Sequence, residues 1–414
     1  MKLQMHSSRR RFLGGVAGAG TVIMLKPPAW AFEDVNPRVT AIVASTIGID
    51  THNHIDAPLT TDEVPGPTID LAGEMKRSGL SAICMTFAVD YQQLRTPGEA
   101  YDRFKNGLTS MDQQLERNHM KRSLNLADLR AAHEKKQPTV VQSVEGAHFL
   151  EGRLERVEEA YNRGLRHFGL LHDSDASVPL GDVYTNPPRW DGLTEFGAKV
   201  IKECNRLGIL VDLAHANTET VVAALKVTTK PVIISHTGLD SQLGQNPSMA
   251  RMMRARLISK AQAKIVADAG GVIGVWTHLA DSPEGYAQNV RALVDVIGID
   301  HVCIGTDTKL TPGNGPRGGP GPRPGGDPGG RGDGGPAGTP GRGPMANAPG
   351  GGPGGGPNRG RAGERTNDAW QGETVGFYDA VVSAMLRVGF AADEIGKVGG
   401  GNFCRVFDAA TAGH

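Results

Sequence analysis

Eight short stretches of the chain are apolar almost without interruption, and most are followed by segments whose apolar residues return every three or four positions. The apolar stretches are 47–53, 82–88, 139–145, 167–172, 209–215, 232–236, 272–277 and 302–307. Helical periodicity marks 71–78, 127–135, 154–163, 194–206, 219–226, 260–269 and 287–296. Runs too apolar for one-sided burial, alternating with helices, predict βα units around a parallel sheet. Eight such units favour an α/β fold closed as a (β/α)8 barrel of the TIM type. Helical periodicity resumes at 374–388 and 393–398, and Gly399-Gly400-Gly401 is expected to break the chain before a last segment at 402–410.

Composition divides this barrel. Residues 311–363 hold 23 of the 57 Gly and 12 of the 26 Pro. Without a strict three-residue period, this tract predicts a disordered low-complexity insertion after the eighth strand rather than collagen. Its Arg331-Gly332-Asp333 triplet is expected by chance in so biased a stretch. At the N-terminus, Ser8-Arg9-Arg10-Arg11-Phe12-Leu13, a modest apolar run and Ala29-Trp30-Ala31 have the form of a twin-arginine export signal with its cleavage site. The expected domains are therefore a signal peptide over 1–31 and a barrel over 32–414, interrupted at 311–363. Export by the twin-arginine machinery predicts a periplasmic or secreted protein with a mature start near Phe32 and no transmembrane helix. Balanced charge, 44 Lys+Arg against 44 Asp+Glu, argues against a nucleic-acid partner. Cys84, Cys204, Cys303 and Cys404 lie far apart and read as buried free thiols.

The strand ends carry the chemistry. The first stretch ends in His52-Asn53-His54, the third in Glu145, the fourth in His172, the fifth in His215, the sixth in His236 and the eighth in Asp307. In a parallel barrel all these ends meet at one face, where active sites form. His52 and His54, two apart on an extended segment, point the same way. Burying such groups unpartnered costs about 1–3 kcal/mol each, and a divalent metal removes that cost by taking the lone pairs. Zinc suits imidazole with carboxylate, while manganese, cobalt and iron stay open. No nucleophile elbow, Walker loop or dinucleotide fingerprint competes. Trp276 and His278 are expected to line the pocket or pack, and His167 and His301 to be structural.

These residues lie in pieces that, taken in order, resemble the membrane (renal-type) dipeptidases of peptidase family M19, within the metal-dependent amidohydrolase barrels. The pieces are Asp50-Thr51-His52-Asn53, Val144-Glu145-Gly146, Val211-Asp212-Leu213-Ala214-His215, Ile234-Ser235-His236-Thr237, Gly305-Thr306-Asp307 and the stretch Gly400-Gly401-Asn402-Phe403-Cys404-Arg405-Val406-Phe407. The resemblance implies a dipeptidase with two zinc ions bridged by Glu145 and a water or hydroxide. His52 and His54 would complete one metal, His215 and His236 the other. His172 would contact substrate and the developing oxyanion, Asp307 would carry the proton, and Arg256 would hold the substrate carboxylate, with Arg251 and Arg254 close by in sequence. The expected partner is a small peptide, a D-residue in second place included, and a homodimer is the one oligomer considered. Alternatives are a related barrel hydrolase cleaving an N-acyl amino acid, β-lactam or lactone, and a non-catalytic surface binder using the Gly/Pro tract.

Two departures stand out. The family usually has Asp where this chain has His54, which removes one negative charge from the metal site. Thr308-Lys309-Leu310 also replaces the usual Phe-Asp-Gly after Asp307, altering the pocket rim.

Overall fold

The computed structural model describes residues 36–63, 66, 68–311 and 365–414. The export signal and nearly all of the Gly/Pro tract lie outside the described residues. Eight parallel staves form the sheet: β1 (Ile49–His54), β2 (Ala82–Thr86), β3 (Thr139–Glu145), β4 (Leu165–Gly169), β5 (Leu210–Asp212), β6 (Ile233–Thr237), β7 (Val272–Val275) and β8 (Val302–Ile304). Beyond β8, Thr308–Lys309 pairs with β1 in the register Asn53↔Thr308 and His54↔Lys309, so the eighth stave closes the barrel against the first. The second departure thus lies in the closing seam, and Lys309 reaches Asp56 at 2.6 Å. A two-residue strand, Lys121–Arg122, fills the gap beside the start of β3.

Every residue of these eight staves is buried, as expected for strands covered on both sides. Ile49, Ala82, Val141, Leu210, Ile233, Val272 and Cys303 cluster with Phe403 and Phe407 of the last helix, Asn402–Thr411, which plugs one end of the barrel. The other end is left for chemistry. Helices return over the outside, several opened by a side chain that accepts from the first-turn backbone: Asn125, Thr194, Asn217, Ser259 and Ser282. All four cysteines are buried free thiols.

Several boundaries differ from the sequence expectation. β4, β5 and β8 stop three residues short of His172, His215 and Asp307, because the backbone leaves the ladder before it presents those side chains. His215 and Asp307 have φ of 67° and 55°, a left-handed conformation uncommon for non-glycine residues and frequent at functional sites. The helix Glu99–Arg117, at 19 residues, was not foreseen; Phe104, Leu108, Met111 and Leu115 form its buried stripe. The triple glycine bends the chain without ending it: Lys397–Gly401 is a widened turn leading straight into the last helix. Glycine is required there by space, since a Cβ on Gly400 would sit 1.9 Å from the Ile47 carbonyl oxygen.

Candidate metal centre

Two strands that carry histidines are bulged at the site. Between Asp50 and Asn53, β1 has one residue more than its partner β2, and β6 gains one over β7 between Ile234 and Thr237. Bulges re-aim side chains, and here they turn His52, His54 and His236 toward Glu145 at the end of β3. The structure brings together all seven residues singled out at strand ends. Glu145 Oε1 lies 2.9 Å from His215 Nε2, 3.5 Å from His52 Nε2 and 3.7 Å from His236 Nε2. Glu145 Oε2 lies 3.5 Å from His172 Nε2 and 3.7 Å from His54 Nε2. Asp307 Oδ1 is 3.2 Å from His54 Nε2 and 3.9 Å from His52 Nε2.

Four of the five imidazoles share one orientation: Nε2 inward, Nδ1 held from behind. His172 Nδ1 donates to Asp90 at 2.7 Å, and His215 Nδ1 to Asp173 at 3.0 Å, with Tyr184 Oη also 2.8 Å away. His54 differs, because Tyr91 Oη lies 2.8 Å from its Nδ1 and 3.1 Å from its Nε2. Ser235 Oγ gives its proton to Asp212 at 2.6 Å, which leaves its lone pairs for His236 Nδ1 at 3.0 Å and His52 Nδ1 at 3.3 Å. In the neutral rings of His52, His215 and His236 this pattern leaves the Nε2 lone pairs facing a carboxylate, the arrangement by which neighbouring groups orient metal-binding histidines. For His172 burial opposes charge, but Glu145 and Asp90 outweigh it and favour a proton on Nε2 as well.

Such convergence calls for a cation. His215 and His236 set their Nε2 atoms 3.0 Å apart, and His52 and His54 theirs 3.2 Å apart. Glu145 Oε2 is buried without a hydrogen-bond partner. Three groupings place ligand atoms within 4.8 Å of one another: His52, Glu145 and His236; His52, His54 and Asp307; and Glu145, His172 and His215. Once the rings give up their protons, this donor set of imidazoles around carboxylates fits a divalent metal.

The charge balance agrees. Burial alone would push the Glu145 carboxyl up, but His172, His52 and His215 outweigh it and hold it well below the usual range. Burial likewise opposes charge on His215, yet Asp173 and Glu145 override it and raise the ring to about 10. Asp307, partly buried, is held well below its ordinary value, burial being outweighed by His236, His278 and His54. Rings and carboxylates here hold one another charged, and a bound cation would take the place of the protons on the rings.

Arg256 is the arginine of its cluster that reaches this site, and it pairs with Asp173. Arg251 and Arg254 are exposed. Residues that the sequence pattern did not single out are the partners of the rings: Asp90 and Tyr91 after β2, and Asp173 and Tyr184 after β4. His278 after β7, expected to line the pocket or pack and not taken as a ligand, meets Asp307 Oδ2 through Nε2 at 2.8 Å. Asp173 follows His172 directly, which was the one available signal. A cavity of about 630 Å³, lined in part by Ile55, Asp56, Phe87, Tyr91 and Arg103, opens beside the cluster at Tyr91.

Known proteins share this fold, and one family profile matches the sequence. A curated relative, dipeptidase verJ of Clonostachys rogersoniana, is 31% identical over 171 residues, spanning 40% of this chain and 41% of that protein. The fold is that of the probable dipeptidase PvdM from Pseudomonas aeruginosa, with TM-score 0.65 at 15% identity over 91% of this chain and 98% of that one. It is also that of a metallo peptidase from Rhodobacter sphaeroides liganded with a phosphinate mimic of L-Ala-D-Ala, with TM-score 0.60 at 16% identity over 88% and 100%. The family profile described as membrane dipeptidase, peptidase family M19, matches residues 37–315, and the chain belongs to that family.

Proposed function

We propose that the protein is an exported zinc metallo-dipeptidase that hydrolyses the peptide bond of short peptides. The observation that carries this reading is the inward convergence of five Nε2 atoms on Glu145. His52 and His54 would hold one zinc and His215 and His236 a second, with Glu145 available to both. Bound zinc would supply hydroxide near neutral pH, by lowering the pKa of water to about 7, and would polarise the scissile carbonyl.

The rest falls to the chain's own side chains. His172, its Nδ1 fixed by Asp90, presents Nε2 to the oxyanion that develops on the carbonyl oxygen; loss of such a donor costs about 2.7–4 kcal/mol. Asp307 takes the proton released in the attack and returns it to the leaving amine. Its Oδ2 is held by His278, which keeps Oδ1 turned toward His54. Arg256 anchors the substrate carboxylate. Support for a dipeptide comes from the family and from the dipeptide mimic in the Rhodobacter neighbour.

The test is metal content per chain combined with a hydrolysis panel: dipeptides with an L- or D-residue second, acylated amino acids and lactones. Two zinc ions with dipeptide turnover are expected. Turnover confined to acylated amino acids or lactones would replace this reading with the related barrel hydrolase. Export is tested by N-terminal sequencing of secreted material, with a start near Phe32 expected.

A further inference from the structure

We propose that Asp173 is a specificity-determining residue, an internal carboxylate that occupies Arg256 and that a substrate's C-terminal carboxylate must displace. The inference rests on the reading of Arg256 as the substrate anchor. Both terminal nitrogens of Arg256 are engaged: Nη2 donates to Asp173 Oδ2, and Nη1 donates to the Met252 carbonyl at 3.3 Å. Each nitrogen keeps a second N–H, but an incoming carboxylate that takes them stands beside the Asp173 carboxylate on the same guanidinium, and repulsion between the two drives Asp173 off. The backbone that carries the arginine is tied to the barrel, because Thr237 Oγ1 at the end of β6 donates to the Arg256 carbonyl at 2.9 Å.

Asp173 can release Arg256 without leaving the site. Its other oxygen, Oδ1, accepts from His215 Nδ1 at 3.0 Å, so one carboxylate ties the substrate anchor to a ring of the metal cluster. Both partners are accessible, Asp173 at 32% and Arg256 at 28% side-chain exposure, so a ligand can reach between them. An entering carboxylate therefore meets a neutral pair rather than a free guanidinium. A substrate with an uncharged end loses nothing to this competition. The pocket accordingly discriminates less in favour of a free C-terminus than an unpaired arginine would.

Asp173→Asn separates the two duties. The amide oxygen still accepts from His215, while the amide nitrogen cannot accept from Arg256, which is released. Kinetics are measured on one dipeptide and on its C-terminal amide, with zinc content determined on the same samples. With zinc retained, the acid-to-amide ratio of kcat/KM is expected to rise about tenfold over wild type. The Ki of a dipeptide phosphinate carrying a free carboxylate should fall in step. A ratio and Ki within twofold of wild type would overturn the proposal. So would an equal loss on both substrates accompanied by loss of zinc, which would assign Asp173 to His215 alone. Arg256→Gln is the second variant: the ratio is expected to drop at least tenfold, and an unchanged ratio would remove Arg256 as the anchor. Should wild type hydrolyse neither substrate, the dipeptidase reading fails first, and the phosphinate Ki still reports on Asp173.

Discussion

Ser235 is the sharpest place to test the cluster, since one hydroxyl backs two rings assigned to different metals. Its Oγ donates to Asp212 and accepts from His236 Nδ1 and His52 Nδ1 at 3.0 and 3.3 Å. Ser235→Ala leaves two buried ring N–H groups without acceptors. If both stayed in place, the cost would be roughly 2–6 kcal/mol, at about 1–3 kcal/mol for each unsatisfied group. A cheaper escape exists. Each ring can move its proton from Nδ1 to Nε2, but that removes the lone pair facing Glu145. The penalty then passes from folding to metal binding, where loss of an orienting partner typically weakens affinity about 10–100-fold.

The prediction is thus specific in pattern as well as size. Zinc titrated into metal-free Ser235→Ala protein against a competing chelator should show both dissociation constants raised about 10–100-fold. Urea unfolding of the metal-free variant should show a smaller loss than the two stranded groups would exact together. A result in which only one constant moves, or both stay within twofold of wild type, would refute the idea that a single hydroxyl sets both tautomers.

Three further outcomes are expected. His54→Asp restores an anionic group at the position where this chain departs from its family; one added charge should tighten the zinc shared with His52 about tenfold, and affinity within twofold of wild type in equilibrium dialysis would refute this. Loading zinc requires a neutral His215 ring, whose pKa of about 10 means it holds a proton at working pH; zinc affinity should therefore climb up to tenfold per pH unit from pH 7 to 9, with proton uptake by the buffer visible in calorimetry, and a flat profile would contradict it. Gly305→Ala would place a Cβ 1.8 Å from the Ser235 carbonyl oxygen, so a loss of about 3 kcal/mol or more is expected by urea unfolding, and an unchanged midpoint would show that the barrel can yield there.

The sequence carried the barrel because its strands are buried on both faces, which leaves runs such as Val140-Val141 too apolar to be anything half-exposed. It carried the rings and carboxylates at the site for a topological reason: parallel strands deliver all their C-terminal ends to one rim, however distant they are along the chain. The partners behind the rings were not legible. Asp90, Tyr91 and Tyr184 sit on loops, where direction is set by turn geometry rather than by a period of two. Asp173 adjoins His172, but the two side chains serve different rings, and no spacing rule announces that. The helix Glu99–Arg117 hid its stripe behind Gly107, Thr109 and Ser110, all weak helix formers. Gly107 is there for space: a Cβ would meet the Phe87 ring at 2.4 Å.

Beneath the rim, two further carboxylates explain why the fold and the cation belong together. Asp50 accepts from Thr306 N and Oγ1 at 2.8 and 2.7 Å, and from Asn53 Nδ2 at 2.8 Å, which ties β1 to the eighth stave. Asp212 accepts from Ser235 N and from Ala214 N, both at 3.0 Å, which ties β5 to β6. These bonds set the strand ends that aim the histidines, yet burial still dominates for Asp50 and pushes it up to about 6 against their pull. A folded pKa above the ordinary 3.8 contributes stability below pH 3.8 that is lost as pH rises through 6. Near neutral pH the barrel therefore holds an ionised, fully buried carboxylate under a rim that already concentrates Glu145, Asp307 and inward lone pairs. Cations bound at that rim lower the cost of every one of these charges at once, and by linkage whatever stabilises the loaded form over the unfolded chain also tightens the binding. The arrangement that makes the site chemically useful is, for the same electrostatic reason, the part of the fold most dependent on being filled.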